Sequence, residues 1–131
     1  MATDQSVSDG GWIGLGTSSS QSQFTRSTVV LPFNATIVGL VLNIRDKTLL
    51  DGATVTATIF TSPCGFADPV STGISATVLG PSNDEDPNCT ATGTGSVAVT
   101  RGTLVSVQLT TSQGVGALPN GAAVTILLTI P

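Results

Sequence analysis

The sequence predicts an all-β protein, an antiparallel two-sheet sandwich of about eight strands and of jelly-roll type. Three observations point there. Hydrophobic residues make up 40% of the 131 residues but aromatic residues only 4% and charged ones 9%, so the interior must be built from Val, Ile, Leu and Ala. Short apolar runs are punctuated by Gly, Pro, Asn and Asp, the rhythm of a sandwich or barrel. Glu, Gln, Lys and Arg, the usual residues of exposed helix faces, are scarce, and no segment joins a 3.6-residue apolar period to helix formers. No helix longer than about two turns is expected.

In chain order, the expected strands are 12–15, 23–31, 35–45, 53–61, 74–79, 96–100, 103–111 and 122–130. Pro32 ends the second, Asp51-Gly52 and Asn120-Gly121 are tight-turn dipeptides, and Arg101-Gly102 suits a hairpin. In the fourth, Ala53, Val55, Ala57 and Ile59 alternate with Thr54, Thr56 and Thr58, which gives one dry face and one wet face. The third and last strands read as apolar on both faces. Val38, Leu40, Leu42 and Ile44 oppose Ile37 and Val41, while Val124, Ile126, Leu128 and Ile130 oppose Ala123 and Leu127. A sandwich core covers one side only, so the second face is expected to be a subunit interface, with cover by another strand or a long loop as the alternative.

Residues 1–21 read as an N-terminal arm, with a short apolar strand and a Ser-rich link at Gly16 to Gln21, and residues 22–131 as the sandwich domain. The arm is expected to be ordered and to carry Trp12, Ile13 and Leu15 to a neighbouring copy by strand addition; the alternative is a flexible tail. Met1 to Gln5 carries neither a basic nor an apolar signal region, and no apolar run reaches the length of a membrane span.

The balance of charge narrows the function further. Only Arg26, Arg45, Lys47 and Arg101 are basic, they are scattered, and the net charge is −4, so the chain cannot neutralise a run of phosphates and nucleic acid is not an expected partner. Low charge also means weak repulsion between copies, so self-association is expected. With no His, no Tyr and a single Glu, no Ser-His-Asp or Cys-His arrangement can be drawn, and neither catalytic residues nor a cofactor are expected.

The acidic loop Asp84-Glu85-Asp86 offers hard oxygen ligands for a weak Ca²⁺, against the plainer reading of a solvated loop tip; its spacing lacks the Gly and the distal Glu of an EF-hand. Cys64 and Cys89 lie in turn-rich segments next to strand ends. An intrachain bond closing that loop of about 25 residues would contribute roughly 3 kcal/mol. Two reduced thiols or a bridge between copies are the alternatives. Asn34-Ala35-Thr36 and Asn88-Cys89-Thr90 match the glycosylation triplet, as chance allows in so Thr-rich a chain.

Several stretches together carry a family likeness: Ile13-Gly14-Leu15-Gly16 with its Ser-rich link, Val29-Val30-Leu31-Pro32 followed by Ala35-Thr36-Ile37, Ala53 to Phe60 followed by a Ser-Pro loop, Arg101-Gly102-Thr103-Leu104-Val105, and a closing apolar strand. Across most of the chain this resembles the C-terminal domain of BclB-type exosporium glycoproteins of endospore-forming bacteria. The resemblance implies a trimeric, tumour-necrosis-factor-like or C1q-like jelly roll at the tip of a spore-surface filament. A collagen-like Gly-X-Y stalk usually precedes that domain and does not occur here, which leaves room for a stand-alone subunit of a surface fibre.

The expected function is therefore structural: an extracellular, self-assembling protein of a bacterial spore surface or cell-surface appendage. Its expected partners are copies of itself, as trimer or filament, with a stalk or anchor protein as a further candidate. Val41 and Leu127 are the expected contact residues of the sheet face. The alternative is a trimeric receptor- or glycan-binding head using the loops 63–73 and 80–95, where Phe66 is the one aromatic candidate.

Overall fold

The computed structural model describes residues 1–3, 9–14, 24, 28–112 and 114–131. Among them are nine strands and no α-helix: β1 (Ala2–Thr3), β2 (Trp12–Ile13), β3 (Val29–Val30), β4 (Ala35–Asn43), β5 (Thr54–Ser62), β6 (Val70–Leu79), β7 (Thr90–Val99), β8 (Leu104–Thr111) and β9 (Ala122–Thr129). They form two antiparallel sheets, one in the order β1-β9-β4-β7 and one in the order β2-β8-β5-β6, with β3 pairing β8 as well. Both β2 and β3 run along the side of β8 that faces away from β5, so together they fill a single strand position.

The core lies between the sheets. Val55, Ala57 and Ile59 of β5 are fully buried, and β8 adds Val105, Val107 and Leu109. From the other sheet come Ile37, Leu40, Leu42, Ala122 and Val124. The wet face expected for β5 is there: Thr56 and Thr77 pair across β5 and β6 with their hydroxyls 2.8 Å apart.

One reading of β4 needs correction. A β-bulge between Ile37 and Gly39 inserts an extra residue, so Ala35 and Ile37 before it, and Leu40, Leu42 and Ile44 after it, all point into the core. Strict alternation had placed Ile37 on the opposite face. Only Val38 and Val41 remain as apolar side chains on the outer face of β4.

The arm also differs from the expectation. Ala2–Thr3 pairs with β9, and Trp12–Ile13 pairs with β8, so these segments complete both sheets of their own chain. Ile13 is fully buried opposite Val107. Trp12 lies on the outer face of its sheet, buried edge-on against Phe24 (5.4 Å between centroids) and Phe60 (4.9 Å). Leu15 and the Ser-rich link lie outside the described residues.

The sandwich closes on one side where β7 meets β6 across the gap between sheets. Gly93 makes this possible: a Cβ there would stand 1.8 Å from the Ser75 carbonyl oxygen. No helix among the described residues is long and apolar enough to cross a membrane.

Candidate assembly surface

On the opposite side the described residues leave the sandwich open. β1 is short, and its contact with β9 is confined to Ala122 and Ala123 together with the mutual backbone bonds of Met1 and Val124. Among the described residues, no strand pairs with Thr125–Thr129 on the edge away from β4. Between Thr125 and Thr129 this edge carries aliphatic side chains, of which Leu127 is 41% and Leu128 39% accessible, and Ile130 just beyond it is 62% accessible.

Beneath this edge a cleft of about 290 Å³ opens between the sheets, lined by Val29, Leu31, Ile37, Val105, Ile126 and Leu128. Its lining is aliphatic because β3 ends the other sheet at the same level, paired with Val105 and Leu104, and brings Val29 to face Ile126 and Leu128 across the gap. Met1 closes the near end, and burial holds its ammonium below the ordinary pKa of an α-amino group.

The two contact residues named from the sequence, Val41 and Leu127, do share the outer face of the β9-β4-β7 sheet. They do not form a continuous apolar face. Val41 stands between Thr92 and Thr125, and Leu127 lies over Gly39 beside Thr94. Trp12 and Ile13, the other named contact residues, are buried inside their own chain.

Cys64 and Cys89 are both free thiols, so the expected intrachain disulfide is not formed. The reason is topological. Cys64 belongs to the loop before β6 and Cys89 to the loop after it, and the 10 residues of β6 hold the two loops about 30 Å apart, at opposite ends of the sandwich. A disulfide needs Cα atoms within about 7 Å. Both residues do sit beside strand ends, as read from the sequence, but a single intervening strand puts them at different ends.

The same geometry separates the two loops proposed as a joint recognition surface. Phe66 is wholly exposed at one end, in a turn whose Ala67 and Cys64 carbonyls accept hydrogen bonds from Ser62 Oγ. The acidic loop is at the other end. There the Asn83 side chain accepts from the backbone N–H groups of Glu85 and Asp86 (2.9 and 2.8 Å), turning the chain so that Asp84, Glu85 and Asp86 all face solvent. The carboxylates do not converge into the calcium loop suggested by the sequence, and among the described residues no three groups are placed to hold a metal ion.

Sequence reading missed the open edge, because which strand ends a sheet depends on long-range pairing. A signal was nonetheless present: no charged residue occurs after Arg101. Comparison of the chain with protein-family models, with curated proteins and with solved structures found no match.

Proposed function

We propose that this chain is a non-enzymatic structural domain of a bacterial spore or cell surface that works by associating with copies of itself. The observation that carries the reading is the last strand: an aliphatic edge, open to solvent above an apolar cleft, in a segment without a single charge. Soluble proteins blunt such edges with charge, proline or cover, because an open edge pairs with other chains. The sequence likeness to BclB-type exosporium domains agrees with a surface location. The strand order supports a jelly-roll winding: with β2 and β3 counted as one position, the chain changes sheet at every step except the β5–β6 hairpin, as two Greek keys require.

Electron microscopy of the purified chain tests this reading. Filaments or discrete oligomers support it, and a field of single domains at high concentration overturns it. A second reading, a binding head at the tip of a fibre, rests on the complete exposure of Phe66. It predicts that Phe66→Ala abolishes adhesion to host glycans or receptors and leaves assembly intact.

A further inference from the structure

We propose that β9 is an unsatisfied sheet edge that pairs antiparallel, across a two-fold axis, with β9 of a second copy, placing Leu128 of one copy opposite Leu128 of the other. The inference rests on the self-association reading above and names the contact that carries it.

The register follows from the backbone. Met1 and Val124 exchange hydrogen bonds, so the N–H and C=O of Val124 point away from β4. Strand geometry repeats every second residue, and β9 runs past the bulge without a break of its own, since the inserted residue is on β4. The backbone groups of Ile126 and Leu128 therefore point outward as well, with no partner among the described residues, and extending the strand by one residue on pairing would add those of Ile130. An antiparallel mate must offer the same period of outward groups. A second β9 does so, and the register centred on Leu128 sets Ile126 against Ile130 of the second copy and uses every outward group. A register shifted two residues toward the start of β9 leaves the Ile130 groups unused, because their mate would be Val124, already held by Met1.

Side chains and charge favour the same occupant. Ile126 and Leu128 line the cleft with their side chains while presenting their backbones to the edge. A second β9 brings the same aliphatic set to the mouth of the cleft and joins the two sheets into one continuous sheet. The contact is isologous, one patch used twice, so any charge in it would be present twice, with the two like charges held close across the axis. The stretch from Gly102 to Pro131 contains none. Among the described residues of the arm, Ala2–Thr3 pairs with Ala122–Ala123 and Trp12–Ile13 with β8, so neither segment is the mate.

Cysteine cross-linking reads the register directly. Directly opposed residues of a hydrogen-bonded antiparallel pair have Cα atoms about 5.5 Å apart, inside the disulfide range. In the full chain carrying Cys64→Ser and Cys89→Ser, Leu128→Cys treated with diamide, which oxidises the two thiols, is expected to give a covalent dimer on non-reducing gels. Leu127→Cys is expected to stay monomeric there, because its opposite residue is Thr129 of the second copy. In parallel, Leu128→Lys sets like charges face to face and is expected to abolish association by light scattering with the β signal unchanged, whereas Leu127→Lys, on the outer face, is expected to associate as the parent does. If the parent associates but Leu128→Cys does not cross-link, or Leu127→Lys dissociates it and Leu128→Lys does not, the edge assignment is overturned and self-association stands. If the parent is monomeric at its highest soluble concentration, both are overturned.

Discussion

Replacing Gly93 with Ala probes the side of the sandwich where the two sheets meet. The added Cβ would stand 1.8 Å from the Ser75 carbonyl oxygen and 2.6 Å from its carbon. Ordinary carbon–oxygen contacts lie near 3.4 Å, so the gap is short by about 1.6 Å. Both atoms struck are backbone, so no rotamer change relieves the clash and β7 must move off β6. Overpacking of this kind costs about 1 to 3 kcal/mol where the surroundings can give, and more where they cannot. Taking about 3 kcal/mol, and about 4 °C per kcal/mol for a domain of this size, the melting temperature should fall by about 12 °C. Gly52→Ala is the matched control. Gly52 has φ +82° with open space around it, so the change tests left-handed strain alone, about 1 kcal/mol and about 4 °C. Thermal unfolding followed by far-ultraviolet circular dichroism measures both. A loss at Gly93 no larger than that at Gly52 would show that β6 and β7 do not approach as described.

The arm belongs to the fold, so Ile13→Ala, at a fully buried site opposite Val107, should lower stability by about 2 to 5 kcal/mol in a denaturant titration; an unchanged midpoint would mean that β2 is not docked. Deleting residues 1–20 removes β1 and β2 together and should be worse than Ile13→Ala, where a dispensable tail would leave stability unaltered. Trp12, buried against Phe24 and Phe60, should fluoresce at short wavelength and resist quenching by acrylamide until the protein unfolds; ready quenching in the native state would place the ring in solvent. Both cysteines should react with a thiol reagent under denaturing, non-reducing conditions, and in the native protein exposed Cys64 should react faster than half-buried Cys89. A mass two hydrogens lighter with no titratable thiol would restore the disulfide.

The parts of the fold legible in the sequence are those set by local pattern. The alternation of Thr54 to Ile59 gave β5 its two faces, and Asp51-Gly52 and Asn120-Gly121 marked turns that the structure contains. The starts of β6 and β7 were not legible. Val70 to Gly73 and Thr90 to Gly95 are rich in Ser, Thr and Gly, and they extend because a neighbouring strand supplies the hydrogen bonds. The bulge at Val38 was invisible for a related reason: a run of aliphatic residues looks the same whether or not one of them is inserted, and only the pairing with β9 reveals the count. For the site, the apolar excess of the last strand was legible, but its place at an edge was not. Leu127 was assigned to a sheet face from its alternation with Leu128, whereas the edge shows only in the pairing, where Thr125–Thr129 has β4 as its one partner strand among the described residues.

Sedimentation equilibrium of the full chain over a wide concentration range tests the central claim, self-association, most directly. The account predicts a weight-average mass that rises with concentration from the 13.1 kDa of one chain toward multiples of it, with little dependence on salt because the β9 edge carries no charge. A mass of 13.1 kDa at every concentration would contradict it.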